Sequence, residues 1–419
     1  MDSQIHHSTH DTTPSLWRNR DYLLLTSAIA VSSLGSKLTF FALPFLAIGL
    51  TNSPAIAGLL SAAQLLPYLL FSLPAGAWVD RADRRRLLVT CDLVRAALLA
   101  TVPLAAFSGM LSLAQLFVVV FISGACTVVA EVADMAALPR VVAPGQLARA
   151  RAVSEGVDAT TSVLGPTIGG LVISFGRTAL NGAALALLAD ALSYLVSAVA
   201  LLHVRRQLQA EPASEQVPVT VAIVEGLRFL WGKPTLRLLM LLTAAVNFVQ
   251  APTQLLVILS AQERFGLAPA GIGSLFGAAG IAAIAGSALA SWWYRPERLR
   301  TILVVALAVW ALAAALLAFA PGAWLLAVGL ALASFIWPLY AVAVVSYRLA
   351  ETPDALQGRV ISGFRTVSYG AEPLGLAAGG WVVAVISPQQ TFFAMALALV
   401  GCLVLVGLGI RSWKAPQQG

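Results

Sequence analysis

The chain has 419 residues, of which 59% are hydrophobic and 11% charged, and its mean hydropathy is +0.86. A water-soluble domain of this composition would expose large apolar patches, so the composition excludes a soluble protein and predicts a polytopic membrane protein. The net charge is +7 and the pI is near 9.7. The basic residues lie in short loops between apolar segments, where they orient a membrane protein, so nucleic acid is not an expected partner.

Twelve apolar segments are long enough to cross a bilayer, at about 20 residues each. We number them as spans 1 to 12 in chain order. The fold class predicted from them is all-α, with twelve transmembrane helices in two six-helix bundles. The spans are predicted at residues 22–50, 55–79, 87–107, 111–133, 153–175, 179–202, 236–259, 269–293, 301–320, 323–346, 361–386 and 390–410.

The basic residues predict the orientation of the spans, because lysine and arginine resist translocation. Of the 26, Lys37 and Arg95 lie within spans, and Arg177 and Arg264 lie in or beside odd-numbered connections. The remainder lie in the tails, at even-numbered connections or near the helix ends that adjoin them. Both termini are therefore predicted to be cytoplasmic, in a multi-pass protein of the cytoplasmic membrane of a bacterium.

A polar connection divides the chain into two halves. It contains the hydrophilic stretch 211–215, followed by Val221, Val224, Leu227 and Trp231 at the spacing of an amphipathic helix on the membrane surface. The predicted organisation is a tail at 1–20, a bundle at 21–202, a linker at 203–234, a second bundle at 235–410 and a tail at 411–419.

An internal repeat supports this division. A shift of 210 residues aligns five residues of the first half with identical residues of the second. A parallel six-plus-six repeat about an axis along the membrane normal is an arrangement of secondary transporters, with the substrate near the midplane between the halves. The aligned pairs are Gly76 with Gly286, Arg149 with Arg359, Gly165 with Gly375, Gly169 with Gly379 and Gly170 with Gly380.

The loop between spans 2 and 3 contains Gly76, Asp80, Arg81, Arg84 and Arg85. With these residues it resembles the signature loop of the major facilitator superfamily (MFS). The loop departs from the family pattern at two positions: Asp83 stands where the family usually has a second glycine, and Trp78 where it usually has leucine. The alternative is that the positive charge of the loop only sets topology.

The resemblance implies a conformational latch that holds the outward-facing state. Asp80 would contact the cytoplasmic start of span 11. Arg84 would join a carboxylate at the end of span 4, for which Glu131 and Asp134 are the candidates. In the second half Ala290 replaces the aspartate, so the repeated copy of the latch lacks its acidic member.

Span 5 carries a second pattern, which resembles the motif of exporting, proton-coupled drug antiporters. Its members are Gly156, Gly165, Pro166, Gly169 and Gly170. Glycines here make a close-contact face, and the proline permits a kink. The alternative is ordinary tight helix packing.

Further likeness to the MFS branch of the enterobactin exporter and macrolide efflux pumps runs through 138–140, 147–153, 190–194, 226–230 and 358–360. The arginine that many drug antiporters carry in the middle of span 4 is absent from 116–129. Proton coupling must therefore use other residues than in those antiporters, or be absent.

Ionisable residues at bilayer depth mark further candidates, because each costs about 2.5 to 3.5 kcal/mol on insertion scales. Glu372 in span 11 and Asp190 in span 6 are the candidates for proton coupling, with Asp190 more readily explained as a structural acceptor. Lys37 in span 1 has four interpretations: it repels cations, pairs with Glu372, binds an anionic substrate group, or snorkels to the interface.

Polar residues in spans 2 and 7 complete the predicted cavity. Gln64, Asn247, Gln250 and Gln254 are candidate substrate contacts, the last three on one face of span 7. Hydrogen bonding between helices is the competing explanation for them.

The resulting hypothesis is a monomeric secondary transporter, not an enzyme, that exports a small amphipathic compound such as a drug, macrolide or siderophore-like molecule in exchange for protons. No nucleotide-binding loop is present, Cys91, Cys126 and Cys402 show no metal or redox spacing, and no cofactor or metal is expected. The expected partners are a small-molecule substrate, protons and lipid. The alternatives are a proton symporter or importer on the same fold, and a non-transporting receptor or scaffold.

Overall fold

The computed structural model describes residues 16–209 and 219–409. The predicted tails lie mostly outside these ranges, as does the hydrophilic stretch 211–215. The described residues form α-helices joined by short turns. The helices are α1 (Arg20–Thr51), α2 (Pro54–Arg81), α3 (Arg84–Phe107), α4 (Leu113–Val141), α5 (Leu147–Ser174), α6 (Ala179–Leu202), α7 (Val219–Gly232), α8 (Pro234–Gln250), α9 (Thr253–Phe265), α10 (Pro269–Trp293), α11 (Leu299–Ala318), α12 (Ala323–Glu351), α13 (Gln357–Val385) and α14 (Pro388–Gly409).

The predicted spans correspond to these helices with one exception. Span 7 is not one helix but two, because the chain breaks between Gln250 and Thr253. Pro252 lies at the break, where it has no backbone N–H to donate and so removes one hydrogen bond of the helical ladder. The prediction of a single polar face carrying Asn247, Gln250 and Gln254 was therefore wrong.

Ten helical stretches of the described chain are long and apolar enough to cross a membrane, with α8 and α9 counted as one. The helices α5 and α13 are of similar length, at 28 and 29 residues, but are more polar. The charged residues that they carry account for their polarity, and these are Arg149, Arg151, Glu155 and Asp158 on α5 and Arg359, Arg365 and Glu372 on α13. The count of twelve crossings and the cytoplasmic termini stay predictions.

Short polar side chains begin most helices of the first half. Each accepts a hydrogen bond from the backbone N–H three residues ahead and so satisfies a donor that the helix leaves free. One of them, Asp83, explains a departure from the family loop: its carboxylate accepts from the Arg86 N–H at 2.9 Å and starts α3. The others are Asn19, Ser53, Ser112 and Thr178.

The helices pack as two bundles, α1 to α6 and α8 to α14, which meet where α2 lies on α13 and α5 on α10. The repeated glycines make equivalent contacts in the two bundles. A Cβ on Gly165 would lie 2.4 Å from Cβ of Lys37 on α1, and one on Gly375 would lie 2.2 Å from the Phe248 carbonyl on α8. The repeat found in the sequence is therefore also present in the structure.

The last glycine of each repeat lies between the bundles. A Cβ on Gly170 would lie 2.4 Å from the Pro269 carbonyl of α10, and one on Gly380 would lie 2.7 Å from Cα of Gly58 on α2. No larger residue fits such contacts, so the bundles touch backbone to backbone here. We call this the closed end; it comprises the starts of α2 and α10 and the ends of α5 and α13.

The bundles separate towards the opposite end, which carries Arg81, Arg84, Arg85 and Arg86 and which we call the arginine-rich end. Along α5 the contact with α10 reaches Val163, which lies against Gly280. One and two turns further on, Ala159 and Gly156 are exposed, and a Cβ on Gly156 would meet nothing within 4 Å. A gap therefore opens between the bundles at the arginine-rich end.

The linker helix α7 packs on the start of α13. A Cβ on Gly226 would lie 2.1 Å from the Arg359 carbonyl, and the Glu225 carboxylate forms an ion pair with Arg359. Leu227 packs against Gly363, whereas Val224 and Trp231 are 56% and 53% exposed. The apolar residues of α7 are thus divided between α13 and the surroundings.

The closed end gives a direct test. Replacing Gly58 by valine forces α2 away from α13, and overpacking of this kind costs about 1–3 kcal/mol. We expect Gly58→Val to lower the Tm of the detergent-purified protein. Gly401→Val on α14 is the matched control, because a Cβ there meets nothing within 4 Å. Equal melting temperatures for the two variants would contradict the packing described.

Candidate functional site

An ion pair lies in the gap between the bundles. Lys37 Nζ on α1 is 3.2 Å from Asp158 Oδ1 on α5, and the two side chains are 36% and 64% exposed. Gly165 admits this arrangement, since its missing side chain lets α5 lie directly on Cβ of Lys37. Lys37 therefore does not pair with Glu372, and Asp158 neutralises a cavity lysine.

Glu131 lies close to this pair. The Tyr68 hydroxyl on α2 donates a hydrogen bond to Glu131 Oε1 on α4 at 2.6 Å. The Glu131 carboxylate also lies within electrostatic reach of Lys37, Asp158 and Arg365. Arg365 belongs to α13, so charged groups of both bundles face the same gap.

The polar stripe on α13 includes Arg365, Tyr369 and Glu372, at the i, i+4 and i+7 positions of one helix face. The Arg365 guanidinium lies 5.7 Å from the centroid of the Tyr369 ring. Glu372 is partly buried, and no side chain in the described parts of the chain forms a hydrogen bond or an ion pair with it. This face thus presents a cation, an aromatic ring and an unpaired carboxylate.

The predicted amide contacts are dispersed. Asn247 Nδ2 donates to the Ser368 carbonyl at 2.8 Å within the second bundle, and Gln254 Nε2 donates to the Phe40 carbonyl of α1 at 3.2 Å across the bundles. Gln250 is partly buried at the end of α8. Gln64 on α2 has its amide oxygen buried without a hydrogen-bond partner. Gln64 is thus the one of these four candidates whose buried amide oxygen is left unbonded among the described residues.

A second polar cluster is buried inside the first bundle. Arg95 on α3 forms an ion pair with Asp92, and its guanidinium lies 4.0 Å from the centroid of the Tyr194 ring on α6. The Tyr194 hydroxyl is 2.7 Å from Ser36 Oγ on α1, and Asp190 accepts a hydrogen bond from Thr39 at 2.5 Å. Asp190 is thus held within the bundle, where its carboxylate links α6 to α1.

The loop arginines bind the end of the first bundle. Arg84 Nη1 donates to the carbonyls of Ala136 on α4 and Leu208 in the linker at 3.0 and 3.1 Å. Arg85 Nε donates to the Leu201 carbonyl of α6 at 3.2 Å. Arg81 is exposed. The loop therefore fastens α3 to α4, α6 and the linker.

The remaining latch residues have different surroundings. A Cβ on Gly76 would meet nothing within 4 Å, so none of the described residues packs closely against this glycine in this conformation. The side chain of Asp80 lies outside the described residues. Asp134 is on α4, within electrostatic reach of Asp92, Arg95 and Glu131.

The span 5 motif is divided between two partners. Gly165 and Gly169 face Lys37 and Phe41 of α1, whereas Gly170 and the Pro166 carbonyl face α10 of the other bundle. Gly156 faces the gap. Its glycines therefore serve both packing within the bundle and contact between bundles.

The sequence analysis missed three residues of the gap. Tyr68 and Asp158 were not singled out in the sequence, and Arg365 was counted among the basic residues near helix ends. The spacing of Arg365 and Glu372 on one face of span 11 was the available signal. Their grouping depends on helix packing, which the sequence alone does not specify.

The comparisons with known proteins agree with this architecture. A family model of the major facilitator superfamily described as "Transmembrane secretion effector" matches residues 13–417. The chain belongs to this family. It is therefore a multi-pass membrane transporter with a small-molecule substrate, and not an enzyme.

Individual relatives and solved structures are also similar to this chain. The chain is 28% identical over 398 residues to "Multidrug efflux pump Tap" of Mycolicibacterium fortuitum, and the match covers 90% of this chain and 93% of that protein. It is 25% identical over 254 residues to "Macrolide efflux protein A" of Streptococcus pyogenes, covering 60% and 61%. The crystal structure of the nucleoside transporter NupG (D323A mutant) superposes with a TM-score of 0.78 at 13% identity, covering 94% and 100%, which shows the shared fold.

The two ion pairs of the first bundle should differ in their contribution to stability. Arg95 and Asp92 are 6% and 3% exposed, and Arg95→Met leaves a buried carboxylate unpaired, which costs about 3–5 kcal/mol. Lys37→Met removes an exposed pair worth about 0–1 kcal/mol. We expect a large fall in Tm for Arg95→Met, partly restored by adding Asp92→Asn, and little change for Lys37→Met. Similar melting temperatures for both single variants would refute this distinction.

Proposed function

We propose that this transporter exports a small amphipathic compound, such as a drug, a macrolide or a siderophore-like molecule, by alternating access in exchange for protons. The observation that carries the proposal is its similarity, over about nine-tenths of its length, to a multidrug efflux pump. We place it in the cytoplasmic membrane of a bacterium as a monomer, with the arginine-rich end at the cytoplasm, because arginine resists translocation.

The geometry supports alternating access. Backbone contacts join α2 to α13 and α5 to α10 at the closed end, and the gap at the other end holds the charged residues. Rocking of the two bundles around the central cavity, so that the closed end parts when the arginine-rich end closes, exposes the same cavity to either side of a membrane. A compound with apolar and polar parts suits a cavity that combines Tyr68, Tyr369 and charged side chains.

Glu372 is the carboxylate that we assign to proton exchange. It lies on the cavity face of α13 without a bonded partner among the described residues, so its proton can be exchanged with solvent without breaking an ion pair. Asp190 accepts hydrogen bonds from Thr39 and Ser193 inside the first bundle, and we assign it a structural role. In the latch proposal, Asp80 and the loop arginines act at the arginine-rich end when it closes.

Everted membrane vesicles with an acidic lumen test the proposal. We expect uptake of a fluorescent or radiolabelled macrolide driven by the proton gradient, abolished by the ionophore nigericin and reduced at least tenfold by Glu372→Gln. Glu263→Gln is the matched control, because Glu263 is exposed on α9. A panel that includes a catecholate siderophore identifies the substrate class.

The alternatives give different results in the same experiment. Accumulation of the compound by intact cells, dependent on an inward proton gradient, identifies an importer or symporter. Absence of flux for every compound, together with unaltered behaviour of Lys37→Ala, Glu372→Gln and Asp80→Asn in a resistance assay, identifies a receptor or scaffold.

A further inference from the structure

Glu131 is surrounded by charged and titratable groups from four other helices of both bundles. Tyr68 donates a hydrogen bond to it, and four ionisable side chains lie within electrostatic reach. These four are Lys37 on α1, Asp158 on α5, Arg365 on α13 and Asp134 on α4 itself. Of these, Arg365 alone belongs to the second bundle, and it carries the opposite charge to Glu131.

Glu131 and Arg365 lie at similar depth in the open half of the cavity. Glu131 is ten residues before the last residue of α4, and Arg365 is eight residues after the first residue of α13. At a rise of about 1.5 Å per residue, they lie roughly 15 and 12 Å from the arginine-rich end. Both are exposed, and these two described residues do not form a direct ion pair in this conformation.

Closure of the arginine-rich end must shorten the distance between them, because they lie on opposite bundles on the side of the cavity that opens. The other cavity cation, Lys37, is already paired with Asp158 at 3.2 Å. Arg348 of α12 lies within electrostatic reach of Arg365, and repulsion between these like charges favours movement of Arg365 towards a carboxylate. Glu131 is the carboxylate of the facing bundle in position to receive it.

We propose that Glu131 and Arg365 form an ion pair between the bundles when the arginine-rich end closes, and that protonation of Glu131 breaks this pair. The inference rests on the proposed function, since it supplies the step by which a proton changes the conformation. The proton adds to a carboxylate oxygen of Glu131, which becomes neutral while Arg365 keeps its charge. High pH therefore favours the conformation with the arginine-rich end closed, and low pH favours the conformation with this end open.

Spin labels at Ala148 and Ala350 measure this closure by double electron–electron resonance. Both alanines are exposed near the arginine-rich end, on α5 of the first bundle and α12 of the second. The three native cysteines are replaced by alanine for this purpose. We expect the short-distance population to grow between pH 5 and pH 9, and Glu131→Gln to show the long distance at both pH values.

A control variant and a charge exchange separate this role from a general effect of removing a carboxylate. Glu263→Gln should keep the pH-dependent change in distance, because Glu263 is exposed near the end of α9, which adjoins the closed end. Arg365→Glu alone should show the long distance throughout, and adding Glu131→Arg should restore the short-distance population at pH 9. The same double exchange in the protein with its native cysteines should recover efflux lost in either single variant.

The outcomes distinguish the inference from the proposed function. Efflux by the wild type together with an unaltered pH response in Glu131→Gln overturns the ion pair and leaves the transporter proposal intact. Absence of efflux of any compound by the wild type overturns the proposed function itself. Failure of the double exchange to restore either distance or efflux also contradicts a direct pair.

Discussion

The close contact between the backbones of the two bundles is the constraint on which the rest of this structure depends. Gly58 meets Gly380, and Gly170 meets Gly273, at positions where a Cβ would lie within about van der Waals contact distance of the facing main chain or closer. These contacts bring the bundles together at one end without side chains to interlock them. The bundles can therefore separate at the arginine-rich end, and the charged cavity lies between them there.

The polar groups of the protein fall into two sets with different consequences. Arg95, Asp92 and Tyr194 satisfy one another within the first bundle and fix the positions of α3 and α6. Lys37, Asp158 and Glu131 lie in the gap, exposed to solvent, where their partners can change as the bundles move. Burial thus separates the charges that maintain the fold from the charges that we propose to act in transport.

The sequence predicted the architecture well for physical reasons. Long apolar segments separated by basic loops are what a chain that crosses a bilayer requires, so they predict the helices directly. The 210-residue repeat identified the glycines that make equivalent contacts in both bundles. The break at Pro252 was missed, because a proline at bilayer depth is also compatible with a kinked continuous helix. Asp158 and Arg365 were missed because their importance arises from helices distant in sequence that meet across a gap. Asp83, by contrast, stood out in sequence as a departure from the family loop, and its role as the N-cap of α3 appeared only with the structure.

Accessibility of a cysteine at Ala159 tests the central claim, that the cavity of this conformation opens at the arginine-rich end, most directly. Ala159 is exposed one turn beyond the last contact between α5 and α10, and the native cysteines are replaced by alanine. A membrane-impermeant maleimide should label this cysteine rapidly in everted vesicles, where the proposed orientation places the arginine-rich end towards the reagent, and slowly in right-side-out vesicles. Faster labelling in right-side-out vesicles would contradict the account.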